Sequence, residues 1–205
     1  MLLEQPYSYL NLDIKISEEW KSIIDLSNPA RQAYRDIGNS LVDDESKRIL
    51  QDAGIVLDFG RLWSWPATDD QPPLFHIDLL DNDINSPKNP LCAINTLIQG
   101  TPSFQEWTTK EKCTIVDVGN APVHKEAHNS TPSNYMAYHS NLPVNYAAEL
   151  KKGYSILCRV DIPHRVRTDL IKETRWSYSL RFLNKQGLRP SYNEVKELLK
   201  DYIIS

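Results

Sequence analysis

The sequence predicts a mainly β protein with flanking helices, arranged as an antiparallel sandwich or barrel of jelly-roll type. Residues 55–184 form about eight short runs of β-branched and aromatic residues, separated by clusters of Pro, Asn, Asp, Ser and Gly. On both sides of this region, apolar residues recur with helical spacing. Many short strands with turn residues between them are typical of antiparallel sandwiches and barrels.

The chain length fits one domain. Its 205 residues can bury a substantial core without disulfides or a structural metal. We assign residues 1–205 to a single unit, with helical N-terminal support at about 17–54, a β core at about 55–184 and a C-terminal helix at about 191–203.

The N-terminal quarter begins with a strand and continues with helices. Residues 7–16 alternate apolar and polar side chains, which is the period of a half-buried strand. Ser17 is an N-cap for a short helix, and residues 30–37 are predicted as a second helix ended by Gly38. A third helix follows Asp43 and stops before a glycine.

The C-terminal helix carries a complete start signal. Ser191 is its N-cap, and Glu194, three residues later, completes a capping box. Val195, Leu198 and Leu199 share one face of this helix, so it should pack on the sheet.

Composition restricts the function classes. A net charge of −4 and a pI near 5.7, with basic residues scattered among acidic ones, predict no extended nucleic-acid binding. The three cysteines, Cys92, Cys113 and Cys158, lack metal-site spacing and are expected to be reduced core thiols. We expect a cytoplasmic protein, because no signal peptide or apolar run long enough to span a membrane is evident.

The first candidate site lies in the strand PLFHIDLL. A two-residue period directs His76 and Asp78 to the same side of this strand. Burying a histidine and a carboxylate among apolar residues is costly unless they gain a partner, and a cation would be one. His-x-Asp alone is common, so the interpretation depends on what accompanies it.

Two later segments accompany it. His164 follows a strand and Pro163, which places its imidazole at a strand end or bulge. The run RWSYSLRF then alternates, with polar residues on one face: Arg175, Ser177, Ser179 and Arg181. If the opposite apolar face packs on the core, the arginines face solvent; if the strand lines a barrel, they present a fork to a carboxylate.

The order HID, NPLCAINTLI, IPHRV and RWSYSLRF, within residues 75–182, resembles the Fe(II)- and 2-oxoglutarate-dependent oxygenase superfamily. It is most similar to small prolyl- or aspartyl-hydroxylase-like and phytanoyl-hydroxylase-like members. The superfamily pattern is His-x-Asp, a distal His, and an Arg or Lys about ten residues further on. Arg175 lies eleven residues after His164 and begins an Arg-x-Ser.

The resemblance implies a double-stranded β-helix, or distorted jelly roll, with iron at one mouth. His76, Asp78 and His164 would hold the Fe(II) as a facial triad with three open positions. The co-substrate 2-oxoglutarate would take two of these positions through its C1 carboxylate and its keto oxygen, and dioxygen would take the third.

The resemblance also implies an anchor for the far carboxylate of 2-oxoglutarate. Arg175 would fill this role, with Ser177 or Arg181 assisting. Arg181 competes for the same role, and the spacing from the distal histidine favours Arg175. Asn95, on a neighbouring strand, is a further candidate to reach the co-substrate.

The expected function is therefore a 2-oxoglutarate-dependent dioxygenase that hydroxylates a small molecule, an amino acid or a peptide side chain. One alternative is a jelly-roll binding or structural domain with a vestigial metal site. Another is a cupin-like metalloenzyme that uses no keto acid. The arginine strand disfavours the latter, since such an enzyme needs no deep carboxylate anchor.

Overall fold

The computed structural model describes residues 4–23, 32–65, 67, 74–81, 83, 85–109, 114–120, 134–139 and 141–204. These residues form twelve strands: β1 (Tyr7–Leu10), β2 (Gln32–Ile37), β3 (Val56–Trp65), β4 (Phe75–Leu79), β5 (Cys92–Gln99), β6 (Ser103–Trp107), β7 (Ile115–Asn120), β8 (Asn134–Tyr138), β9 (Tyr146–Leu150), β10 (Ser155–Arg159), β11 (His164–Val166) and β12 (Arg175–Leu183). They also form three α-helices, α1 (Trp20–Ile23), α2 (Asp44–Asp52) and α3 (Tyr192–Leu198), and two 3-10 helices, Thr168–Leu170 and Lys200–Tyr202.

The strands form two antiparallel sheets of six strands each. The first has the order β1-β10-β5-β12-β3-β2, and the second has the order β7-β8-β4-β11-β6-β9. The mainly β prediction is therefore confirmed. None of the described helices has the length and hydropathy needed to cross a bilayer.

The pairing of the central strands is nested. Strand β3 pairs with β12, β4 with β11, β5 with β10, and β6 with β9, all antiparallel. Along the chain these eight strands alternate between the two sheets except at β6 and β9, which both belong to the second sheet, and segments far apart in sequence become neighbours. This nesting makes β4 a partner of β11 and places β12 in the facing sheet.

Both faces of β12 are buried, one beneath the helices and the other against the second sheet. Its apolar residues, among them Trp176 and Tyr178, belong to a cluster that includes Trp20 of α1, Leu50 of α2 and Val195 of α3. The helices thus cover the outer face of the first sheet. The polar residues of β12 alternate with these and lie on the opposite face, toward the second sheet.

The predicted capping box is confirmed at α3, and α2 also begins with a side-chain cap. The Asp43 side chain accepts from the backbone N–H of Ser46 at the start of α2. At α3, Ser191 and Glu194 form the reciprocal hydrogen bonds of a capping box. Of the predicted cysteine thiols, Cys92 and Cys158 are free and buried, and Cys113 lies outside the described residues.

The helix predicted at residues 30–37 is wrong. Residues 32–37 form β2, which pairs along its length with β3 as an edge strand of the first sheet, and residues 30 and 31 lie outside the described part. Sheet pairing determines this segment because it supplies hydrogen-bond partners that local spacing does not reveal. The first predicted strand is also shorter, since β1 ends at Leu10.

A buried polar junction connects β2, β3 and β12 on the outer face. The Tyr178 hydroxyl donates to Asp36 at 2.7 Å, and the same carboxylate accepts from the backbone N–H groups of Ser40 and Leu41 at 2.9 Å each. The tyrosine passes directly over Gly60, where an added Cβ would lie 1.8 Å from its hydroxyl oxygen. Only glycine leaves room for this contact.

We therefore expect Gly60→Ala to lower the free energy of unfolding by about 1–3 kcal/mol, because the methyl group forces Tyr178 away from Asp36. Ser64→Ala is the matched control on the same face of β3. The Ser64 hydroxyl is buried without a hydrogen-bond partner in the described structure, so its removal should be nearly neutral. Urea denaturation of both variants measures the difference, and equal stabilities would contradict the packing account.

Candidate metal centre

The pairing of β4 with β11 brings two histidines together. His76 and His164 face each other directly in the register, and their ring centroids lie 4.5 Å apart. His164 begins β11 immediately after Pro163, as the sequence indicated. Its Nδ1 donates to the carbonyl oxygen of Ile162 at 3.0 Å, which leaves Nε2 with a free lone pair.

Asp78 completes the group from the same face of β4. Its Oδ1 lies 3.7 Å from Nε2 of His76, and its backbone N–H donates to the carbonyl of Val160 at 3.2 Å. One ligand atom from each of His76, Asp78 and His164 lies within 4.8 Å of the other two. Two imidazole nitrogens and one carboxylate oxygen at this separation can hold a divalent metal ion.

Arg181 connects this group to the facing sheet. Its Nη2 donates to Oδ2 of Asp78 in an ion pair, and its Nη1 donates to the Ser179 hydroxyl at 2.5 Å. Burial alone would raise the pKa of Asp78, but the charges of Arg181, His164 and His76 outweigh it and hold that pKa well below its usual range. The carboxylate is therefore ionised and available as a ligand.

Burial acts on His164 in the direction that favours metal binding. It lowers the pKa of this imidazole, and the nearby Asp78 charge offsets only part of the effect. The neutral ring, which is the form that binds a metal, is therefore favoured.

Asn95 lies in a polar chain behind Arg181. The Ser179 hydroxyl donates to Oδ1 of Asn95, whose amide in turn donates to Oε1 of Gln105 at 2.9 Å. Since β12 and β5 belong to the first sheet and β6 to the second, this chain crosses the space between the sheets. Asn95 thus steadies the position of Arg181 through Ser179.

Arg175 is buried at the opposite end of the same face of β12. Only 2% of this residue is exposed, and its Nε and Nη1 have no hydrogen-bond partner within the described structure. Burial lowers the pKa of Arg175 to about 9, so the guanidinium remains a cation at neutral pH. An unpartnered buried cation is costly, which makes Arg175 a candidate to bind an anion.

The arginine face lines the space between the sheets and does not face solvent. Arg175 and Ser177 are 2% and 6% exposed. The six residue steps from Arg175 to Arg181 correspond to about 20 Å of strand backbone. In the register, Arg175 lies beside Trp65 and Ser177 beside Trp63, whose rings stack at 5.9 Å. The two tryptophans therefore line the same cleft.

Sequence reasoning missed Arg61 and Gln105, which both face this space. Arg61 is 7% exposed and lies beside Ser179 in the register of β3 and β12. The alternation in DFGRLWSW could have identified it, because it places Arg61 on the same face as Trp63. Gln105 had no comparable signal.

Comparison with known proteins gives little further information. No family model matches this chain, and no curated protein matches it. Among the solved structures to which it is similar is the X-ray structure of E. coli ycfD, with 14% sequence identity and a TM-score of 0.39. The match covers 91% of this chain and 44% of that chain, so this chain spans less than half the length of ycfD.

Removing either histidine should abolish metal binding. We expect His76→Ala and His164→Ala to weaken Mn(II) or Fe(II) affinity by more than about 100-fold, because each removes a direct ligand. His139→Ala is the control, since His139 is exposed and follows β8 outside the group. Anaerobic isothermal titration calorimetry measures the affinities, and metal binding unaffected by either ligand substitution would contradict the assignment.

Substitutions of Arg181 and of Arg175 should have opposite effects on the stability of the ligand-free protein. Arg181→Met leaves the Asp78 charge uncompensated and should lower the free energy of unfolding by about 3–5 kcal/mol. Arg175→Met removes an unpartnered charge and should raise it by about 1–4 kcal/mol.

The gain from Arg175→Met should depend on pH. Burial in the folded state lowers the pKa of Arg175 to about 9. Below that pH the guanidinium is charged in both the folded and the unfolded protein, so the loss of folding stability caused by burying the charge has its full value. It declines as the pH rises through 9, where the folded protein releases the proton first. Urea denaturation from pH 7 to 10.5 measures this, and a stability loss for Arg175→Met at neutral pH would contradict the account.

Proposed function

We propose that this protein is a non-haem Fe(II)- and 2-oxoglutarate-dependent dioxygenase that hydroxylates a small molecule, an amino acid or a peptide side chain. The meeting of His76, Asp78 and His164 at the β4–β11 pair carries the proposal. Three observations support it further: the strand order, the burial of the cleft between the sheets, and the buried Nε and Nη1 of Arg175, which have no hydrogen-bond partner in the part of the chain that the structure describes.

The ligand set favours iron in this role. Two histidines and one carboxylate on one side of a metal form the facial triad of Fe(II) oxygenases, which leaves three positions open for co-substrate and dioxygen. A cysteine-rich or all-carboxylate group would favour other metals. The ionised Asp78 and neutral His164 are the protonation states that such a centre needs.

The strand order supports a double-stranded β-helix. In a jelly roll, eight strands in two sheets are connected as successive Greek keys. The nested pairs β3–β12, β4–β11, β5–β10 and β6–β9 follow this order. Strands β1 and β2 then extend the first sheet at its edges, and β7 and β8 extend the second.

Arg175 and Ser177 are the preferred anchor for the far carboxylate of 2-oxoglutarate. Arg181 is less suited, because Asp78 and Ser179 already occupy its guanidinium. Nε and Nη1 of Arg175 are buried and have no hydrogen-bond partner among the described residues, and Ser177 offers a hydroxyl on the same face. A guanidinium paired with a carboxylate in such a place gains two charge-assisted hydrogen bonds.

The residues of this chain would orient and shield the reaction. His76, Asp78 and His164 would hold Fe(II), and Arg181 would fix the carboxylate orientation of Asp78 through its second oxygen. With 2-oxoglutarate and dioxygen bound, the Fe(II) would supply the coupled chemistry in which one oxygen atom oxidises 2-oxoglutarate to succinate and CO₂ and the other hydroxylates the substrate. The buried faces of β4, β11 and β12 would exclude bulk water from that chemistry.

Anaerobic addition of Fe(II) and 2-oxoglutarate tests the proposal. We expect a weak visible charge-transfer band, and succinate release when air is admitted. Arg175→Met should weaken 2-oxoglutarate binding by about tenfold or more while Fe(II) affinity stays unchanged, because it removes a charged hydrogen-bond donor. His76→Ala should remove both the metal and the band.

The rival functions give different results in the same titration. A metalloenzyme without a keto acid would bind Fe(II) but show no band and no response to 2-oxoglutarate. A vestigial site would bind no Fe(II). Equal losses of Fe(II) and 2-oxoglutarate affinity in Arg175→Met would contradict the separate roles assigned to the triad and the arginine.

A further inference from the structure

Arg61 is a buried cation beside the candidate metal centre that the proposed co-substrate site does not use. It lies on the inner face of β3, between Arg35 of β2 and Ser179 of β12 in the register. It is 7% exposed, and its charge is close enough to Asp78 to help lower the pKa of that carboxyl. Arg61 therefore faces the same space as the His76–Asp78–His164 group.

The guanidinium of Arg61 has neither a hydrogen bond nor an ion pair within the described part of the chain. Asp78, the acid whose charge acts on Arg61, already pairs with Arg181, and Asp58, which acts on the neighbouring Arg35, pairs with Arg189. Burial also lowers the pKa of Arg61 to about 10. A buried guanidinium whose neighbouring carboxylate is already paired with another arginine is only partly compensated, so this position suits an anion supplied from outside.

The positive charge extends from Arg61 toward the edge of the sheet. Arg35 lies next to it on β2, the edge strand, and is half-buried. Both guanidinium groups lie over the Phe59 ring, with Arg35 at 4.0 Å and Arg61 at 5.4 Å from its centroid. The ring and the two arginines form a cationic wall that runs from the metal centre to the β2 edge.

The cationic wall and the proposed 2-oxoglutarate site extend from the metal centre in different directions. A 2-oxoglutarate held by the metal and by Arg175 would run along β12 toward the far end of the cleft. Arg61 lies four residues of strand, or about 13 Å, from the level of Arg175. Neither arginine is among the charges that act on the pKa of the other. A far carboxylate held by Arg175 therefore leaves Arg61 and the wall at the β2 edge for a second anion.

We propose that Arg61 binds an acidic group of the primary substrate, a carboxylate or a phosphate, that enters from the β2 edge while the reacting carbon lies over the metal. The inference rests on the proposed oxygenase function and narrows its substrate class to anionic compounds. Arg35 would attract the acidic group at the rim, and Arg61 would hold it inside.

Two small anions, methylphosphonate and acetate, test the site with Mn(II) in place of Fe(II). Mn(II) is paramagnetic, so it speeds the relaxation of methyl protons on any anion bound near the triad. In the protein loaded with Mn(II) and 2-oxoglutarate, we expect this relaxation for one or both probes. The probe that binds more tightly distinguishes a phosphate from a carboxylate substrate.

Arg61→Met should weaken binding of the responding probe by about tenfold or more, while 2-oxoglutarate affinity changes less than about twofold. Arg61→Lys should restore part of the binding, because it keeps the charge without the fork. Arg48→Met is the control, since Arg48 is an exposed arginine of α2 paired with Asp52. Arg61→Met should fold normally, because it removes a buried unpartnered charge.

Three results would overturn the inference. Probe binding that is equal in Arg61→Met and the unaltered protein would show that Arg61 holds no anion. Absence of probe relaxation with Mn(II) and 2-oxoglutarate bound would show the same. Equal losses of probe and 2-oxoglutarate affinity would assign Arg61 to the co-substrate.

Failure of Mn(II) to bind would instead contradict the proposed oxygenase function. Calorimetric titration of the two anions into the metal-free protein would still decide whether Arg61 binds an anion.

Discussion

The ion pair between Arg181 and Asp78 joins the two sheets at the point where the candidate ligands converge. Without it, Asp78 would be a buried carboxylate between two imidazoles, and its burial would favour the protonated form that binds metal poorly. With it, the carboxylate stays charged and one of its oxygens is held toward the facing sheet. The register of β4 with β11 then brings His164 to His76, whose Nε2 lies 3.7 Å from the other oxygen of Asp78. Ligand geometry therefore depends on both the strand pairing and the cross-sheet contact.

The arginines of the cleft differ in what they already bind. Arg181 donates through both of its Nη atoms, to Asp78 and Ser179, and acts as part of the protein framework. Among the described residues, by contrast, Nε and Nη1 of Arg175 and the guanidinium of Arg61 have no hydrogen-bond partner. A protein that keeps such charges sacrifices folding stability for binding, which is a common feature of functional sites. The difference between engaged and free guanidinium groups separates structural from binding roles better than their spacing from the distal histidine does.

Much of this arrangement could be predicted from the sequence, because strand periodicity fixes which residues share a face. The alternation of side chains along a strand predicts that His76 and Asp78 share one face, and that Arg175 and Arg181 share a face of another strand. It could not decide whether the arginine face meets solvent or protein, since helices outside the sheet cover the other face of β12. The helix predicted before Gly38 is wrong because pairing with β3, which local spacing does not reveal, makes residues 32–37 a strand.

Diffraction from crystals soaked anaerobically in Mn(II) and 2-oxoglutarate, with anomalous data to locate the metal, tests the central claim most directly. The account predicts one strong anomalous peak in contact with His76, Asp78 and His164, and density for 2-oxoglutarate that reaches from this peak to Arg175. A peak away from these three side chains, or a co-substrate carboxylate that avoids Arg175, would contradict it.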